Sequence, residues 1–168
     1  LGGEKNKTII TDYTVSIGEP EKMAADEKKI KNEGYPAIKI KLGKRGKTDV
    51  ERIKAIRAAV GKKIPLRIDA NQGWKVNEAI ETLKALAKYD IQHCEEPIAR
   101  WKFLKLRKIK KNSPIPIMAD ESCGDDHDAE RLIELKACDY FNIKLGKSGG
   151  IFKALKIVAD VIDSVFAG

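Results

Sequence analysis

Charged residues recur along this chain at intervals of 24–28 positions, each late in or just after an apolar, strand-like run: Lys41, Asp69, Glu95, Asp120 and Lys144. This period constrains the fold more than any other feature. A single charge at the end of a strand usually caps a turn or faces water. Five in order, one per repeat, call for an architecture that carries successive strand ends to the same height. The runs themselves are Thr8–Ser16, Ala37–Leu42, Leu66–Ala70, Ile91–Glu95, Ile115–Ala119 and Tyr140–Leu145. Between them, Pro20–Glu33, Thr48–Val60, Asn77–Lys88 and Ala129–Lys136 carry apolar residues at helical spacing. Thr48 and Glu51 have the spacing of a capping box, and Gly34 and Gly61 suit helix C-termini. Strict alternation of strand and helix implies right-handed crossovers and a parallel sheet.

Strands of a parallel sheet covered by helices on both faces are apolar throughout, and these strands depart from that rule in one consistent way. Ile38, Ile40 and Leu42 share one face of their strand, so Lys39 and Lys41 share the other. Arg67 and Asp69 alternate with Leu66, Ile68 and Ala70, and Asn142 and Lys144 with Ile143 and Leu145, in the same manner. Charge on the inner face, late in each strand, is the layout of a β/α barrel with a site at its C-terminal rim. The expected fold class is therefore α/β, a parallel (βα)6 portion of a TIM-type β/α barrel. Three converging carboxylates repel one another unless a hard cation neutralises them, and all-oxygen donors suit Mg²⁺. The flanking lysines would then stand on either side of whatever the metal holds.

Composition limits the remaining function classes. At 168 residues the chain fits one domain, and 42% hydrophobic with 35% charged residues excludes disorder. No apolar run approaches the ~20 residues of a spanning helix, and no signal-peptide pattern opens the chain, so no membrane partner is expected. Cys94, Cys123 and Cys138 are odd in number and lack CxxC spacing, which points to a reduced, cytoplasmic compartment. The net charge of +8 raises a nucleic-acid partner, but the lysines are dispersed and aromatics make up only 6%, so none is expected. Gly146-Lys147-Ser148 fails as a phosphate loop because Phe141 stands where the first glycine belongs. Gly43–Lys47 reads as a solvated basic loop, and Lys102–Lys111, through Leu104, Leu106 and Ile109, as a helix covering the barrel. His93 shares the parity of Glu95 and is expected in the barrel interior, and His93 and His127 have no metal-ligand spacing.

Five segments together carry a resemblance: Lys39-Ile40-Lys41, Arg67-Ile68-Asp69-Ala70-Asn71-Gln72-Gly73-Trp74, Glu95-Glu96-Pro97, Ala119-Asp120-Glu121-Ser122 and Asn142-Ile143-Lys144. In this order they resemble the muconate lactonizing branch of the enolase superfamily, and within it the dipeptide epimerases of the L-Ala-D/L-Glu type. The similarity runs from Leu1 to about Ile157. It implies Asp69, Glu95 and Asp120 as Mg²⁺ ligands, Glu95 being preferred to Glu96 by the family's Glu-x-Pro pattern, a choice that strand parity leaves open. It implies Lys41 and Lys144 as acid/base lysines on opposite faces of a substrate α-carbon. Lys39 would stand beside Lys41, lowering its proton affinity and helping to hold the substrate carboxylate. The implied reaction is removal of a proton α to the carboxylate of a small dipeptide, with Mg²⁺ stabilising the enediolate and the opposite lysine returning a proton. Asn71, Asn142, Glu121 and Arg67 are candidate supports.

Members of this branch have a capping domain before the barrel and seventh and eighth strands after the sixth. The expectation is one barrel-derived domain over 1–168, an excised or engineered fragment with those parts absent. Two readings follow. One is a Mg²⁺-dependent dipeptide epimerase; the alternative is a non-catalytic β/α scaffold that retains the motif residues. Six strands also leave two unpaired edges unless the sheet re-closes, and open edges pair with other chains, which would make a homo-oligomer.

Overall fold

The computed structural model describes residues 8, 11–19, 22, 23, 25 and 33–166. Most of the expected helix Pro20–Glu33 and the start of the first expected strand lie outside these residues. Six parallel strands pair in chain order: β1 (Tyr13–Val15), β2 (Ile38–Lys41), β3 (Leu66–Asp69), β4 (Ile91–Glu95), β5 (Ile117–Ala119) and β6 (Tyr140–Phe141). The helices between and after them are α1 (Gly46–Val60), α2 (Val76–Leu86), α3 (Leu106–Asn112), α4 (Asp126–Glu134) and α5 (Ile151–Phe166), with short 3₁₀ turns at Ala87–Tyr89 and Arg100–Lys105. Among the described residues β1 and β6 do not pair, so the sheet is open.

The alternation read from the sequence sets the two faces. Ile38, Ile40, Leu66 and Ile68 are fully buried against Ile53, Ile56, Leu83 and Leu86 of α1 and α2, while Lys39 and Lys41 line the other face. Burial of each such side chain contributes about 1.5–3 kcal/mol. Register places Lys39 beside Arg67, Lys41 beside Asp69, and Asp69 beside Glu95. The last two pairs bring β2, β3 and β4 to one height, as the 24–28-residue period requires. A bulge interrupts β4: Leu66 pairs with Ile91 but Ile68 pairs with Cys94. The extra residue brings both Gln92 and His93 towards the barrel interior, where Gln92 accepts from Arg67 Nε (2.9 Å) and His93 stands edge-on to Tyr140 at 5.9 Å. Burial first, and then the charges of Arg67 and Lys39, push the His93 imidazole down to about 4.

Several expected boundaries shift, each for a local reason. Strand β5 starts at Ile117 rather than Ile115 because Pro116 has no N–H to give to a ladder; its carbonyl still accepts from Cys94 N at 2.8 Å. Strand β6 stops at Phe141 rather than Leu145, since the chain turns where Lys147 N and Ser148 N both donate to Lys144 O at 2.9 Å. Lys144 thus sits in a loop past the strand end. Helix α4 starts at Asp126, ahead of the expected Ala129, because the Asp125 side chain caps it through Asp128 N (2.9 Å). The expected Thr48–Glu51 capping box is not used. Helix α1 begins at Gly46, whose N–H donates to Glu78 Oε1 of α2 (3.1 Å), and a Cβ at Gly46 would stand 2.2 Å from Thr82 Oγ1. The expected helix Lys102–Lys111 divides into a 3₁₀ turn and α3; Leu106 and Ile109 are buried but Leu104 is exposed, because the tighter turn rotates it off the covering face.

Candidate active site

At the C-terminal ends of β3, β4 and β5 stand Asp69, Glu95 and Asp120, all buried. Asp69 and Glu95 are register partners, and Asp120 follows β5 directly. Each lies against at least one lysine ammonium group. Lys39 Nζ reaches Glu95 Oε2 at 2.5 Å and Asp69 Oδ2 at 3.0 Å, and Lys41 Nζ reaches the same Asp69 oxygen at 2.7 Å. At the other end of the row, Lys144 Nζ donates to Asp120 Oδ2, and Lys147 Nζ donates to Asp120 Oδ1 at 2.8 Å. Asn142 Nδ2 donates to Glu95 Oε1 at 2.8 Å. The six residues expected at the site, Lys39, Lys41, Asp69, Glu95, Asp120 and Lys144, are all brought together.

Burial and the neighbouring ammonium groups act on Glu95 and Asp120 in opposing ways. Burial, reinforced by the negative charge of Asp69, pushes Glu95 up against the hydrogen bonds from Lys39 and Asn142. Burial also acts to raise Asp120, but the hydrogen bonds from Lys144 and Lys147 outweigh it and hold that carboxyl down at about 2. Burial lowers Lys39 and Lys144, yet each ends above the ordinary lysine value. For Lys39 the contacts with Glu95 and Asp69 dominate, and for Lys144 those with Asp120.

A second layer shapes the row from behind. Glu96, with φ +36°, is buried; its Oε2 accepts from Asp120 N (2.8 Å) and Ser122 N (3.1 Å), and its Oε1 accepts from Ser122 Oγ. It braces the turn that carries Asp120. Asn71 donates its N–H to Asp69 Oδ1 at 2.9 Å and its side chain to Glu121 Oε1 at 3.4 Å, so it stands at the rim. Arg67 is not brought to the carboxylates: it pairs with Asp12 Oδ2 at 3.0 Å and with Gln92. Lys147 is a site residue that the sequence pattern does not single out, because Gly146-Lys147-Ser148 reads there only as an incomplete phosphate loop. Its spacing of three positions from Lys144 offered a signal.

Among the described residues no group of three or more His, Cys, Asp or Glu side chains is drawn together as a metal centre; each carboxylate is turned onto an ammonium group instead. The donors nonetheless suit a hard divalent cation: they are carboxylate oxygens on or beside rigid strands, and Glu121 Oε2, next in the chain to Asp120, is a buried carboxylate oxygen with no hydrogen-bond partner. No helix among the described residues is long and apolar enough to cross a membrane. The three cysteines are free and buried.

A parallel β/α sheet whose inner face ends in acidic residues flanked by lysines defines the chain as part of an enolase-type barrel. Residues 22–161 match the Enolase C-terminal domain-like family, and the chain belongs to it. It is 60% identical over 158 residues to the D-Ala-D/L-Ala epimerase of Cytophaga hutchinsonii, an alignment covering 94% of this chain and 43% of that protein. It is 45% identical over 161 residues to the L-Ala-D/L-Glu epimerase of Clostridium acetobutylicum, covering 95% and 45% respectively. The crystal structure of the dipeptide epimerase from Cytophaga hutchinsonii complexed with Mg and the dipeptide D-Ala-L-Val superposes with a TM-score of 0.94 at 57% identity, over 96% of this chain and 44% of that one. The chain thus spans less than half the length of the curated relatives it matches.

Proposed function

We propose that this chain supplies the metal-binding and proton-transfer residues of a dipeptide epimerase. The observation that carries the reading is the buried series Asp69, Glu95 and Asp120 on successive parallel strands, with Lys39 and Lys41 at one end and Lys144 at the other. Asp69, Glu95 and Asp120 would hold Mg²⁺. When bound, Mg²⁺ supplies electrostatic stabilisation for the charge that builds on a substrate carboxylate as its α-carbon loses a proton. Lys41 and Lys144, at opposite ends of the row, would remove that proton from one face and return one to the other. Lys39 would keep Glu95 and Asp69 neutralised and help to hold the substrate carboxylate. The 168 residues are read as one barrel-derived domain, and the free thiols of a reduced chain support a cytoplasmic location.

The test is proton NMR of L-Ala-L-Glu in D₂O with the protein and Mg²⁺, following the glutamyl α-proton. Loss of that signal, abolished by Lys41→Ala or Lys144→Ala, is the expected result. No exchange in a sample folded by circular dichroism would favour the second reading, a non-catalytic scaffold.

A further inference from the structure

Asp120 is held by two lysines in unlike ways. Lys147 Nζ donates to Asp120 Oδ1 (2.8 Å), to the Asp120 main-chain oxygen and to Asn142 O (3.0 Å), and its side chain is 20% exposed. Two of these three acceptors are backbone carbonyls, whose positions do not depend on what the carboxylate binds. Lys144 Nζ has one acceptor among the side chains, Asp120 Oδ2, and its side chain is 53% exposed. The backbone fixes both lysines in one turn, since Lys147 N and Ser148 N donate to Lys144 O at 2.9 Å and Ser148 Oγ donates to the same oxygen at 3.0 Å.

We infer that Lys147 is a positioning residue that fixes the Asp120 carboxylate through Oδ1 and the Asp120–Asn142 backbone, whereas Lys144 is an exchangeable occupant of Oδ2 that a divalent cation displaces. The inference rests on the proposed metal-binding reading and extends it. A cation approaching Asp120 meets one oxygen committed to an ammonium group that is tied to the main chain, and one oxygen covered by a half-exposed side chain with no backbone acceptor of its own. Binding at Oδ2 leaves the Lys147 contacts intact and frees Lys144 to turn towards substrate. Charge alone does not distinguish the two lysines, because both put one positive charge against the same carboxylate. Removing either one by substitution with methionine strengthens cation binding if charge is all that matters. If Lys147 positions Asp120, its loss lets the carboxylate swing, and affinity falls despite the favourable change in charge.

The experiment is Mg²⁺ titration by calorimetry of wild type, Lys144→Met, Lys147→Met and Lys147→Arg, with each chain checked for folding by circular dichroism. Lys144→Met is expected to bind Mg²⁺ several-fold more tightly. Lys147→Met should bind it roughly 10-fold more weakly, as is usual when the partner of a metal ligand is removed. Lys147→Arg, which keeps charge and donors, should return most of the loss. Tighter binding by both methionine variants would overturn the positioning role while leaving the metal reading intact. An absence of Mg²⁺ binding in all four chains would overturn the metal reading and this inference with it. Amide exchange of metal-free Lys147→Met gives an independent check: faster exchange at positions 147 and 148, whose N–H groups donate to Lys144 O, is expected, and unchanged exchange would also count against Lys147 as the tie.

Discussion

Three cysteines show how far burial reaches in this small chain. Cys94 is fully buried, and desolvation followed by the carboxylates of Asp69, Glu95 and Glu96 pushes its thiol well above the ordinary range. Burial raises Cys123 to about 11, against the opposing charge of Lys147, and Cys138 to about 12, against that of Lys110. At pH 8 almost none of these thiols is the thiolate that attacks a disulfide reagent. The native chain should therefore react slowly with Ellman's reagent and release all its thiols in urea; a fast native phase would contradict this. The same shifts carry a sign for stability. Below about pH 7.5 the thiols are protonated in both states and their contribution is fully present. As pH rises further the unfolded chain ionises first, so stability falls towards pH 11–12. Urea midpoints between pH 8 and pH 10.5 should drop, and Cys138→Ala should flatten the slope.

At the level of elements, two loops meet with no space to spare. Gly43, at φ +102°, follows β2 at the Lys41 end, and a Cβ there would lie 2.0 Å from Ala70 O. A Cβ at Gly73 would lie 2.0 Å from Gly43 O. Both contacts are backbone, which cannot rotate away. Nearby, buried Asp49 of α1 accepts from Gly43 N (3.0 Å), Trp74 Nε1 (2.8 Å) and Arg52 (2.7 Å), fastening the loops after β2 and β3 to the same helix. Gly73→Ala is expected to lower stability by about 1–3 kcal/mol, the usual cost of overpacking, and to weaken Mg²⁺ binding by shifting Asp69. An unchanged melting temperature would refute the close approach. The alternation of strand-like and helical runs made the parallel βα order legible, and strand parity did the same for the inner placement of Lys39, Lys41 and Asp69. Neither gave the contacts of Gly43, Gly73 or Lys147, which depend on loops meeting across the rim. Nor did either show the β4 bulge, where one extra residue breaks parity and turns Gln92 inward beside His93. The separate choice of Glu95 over Glu96 came from resemblance, and the structure supplies a reason for it: Glu96 is consumed by the Asp120–Ser122 backbone.

For the molecule as a whole, the open sheet has edges at β1 and β6, and both are short, three and two residues. Short edges are poor templates for pairing with another chain. The larger exposed apolar surface lies on α5 instead. Ile151, Leu155, Val158 and Ile162 are all exposed, at spacings of four, three and four, and Phe152 beside them is 87% exposed. Ala154 and Ile157, roughly 100° round the helix from that stripe, are buried, so the apolar surface of α5 extends beyond its buried face. A four-three-four repeat is the seam spacing of packed helices. The charge of +8 opposes close approach of two copies, but only over about 8–10 Å at physiological salt. Two copies are expected to associate through this stripe, with concentration-dependent light scattering that rises with added salt, as repulsion is screened while the apolar stripe is not. Leu155→Glu combined with Ile162→Lys should abolish the concentration-dependent light scattering and leave the circular dichroism spectrum unchanged. Charges placed on the β1 edge, for example at Tyr13, should have little effect. If instead Tyr13→Lys dissolves the association and the α5 pair does not, the sheet edge is the contact, and the exposed stripe of α5 has no part in it.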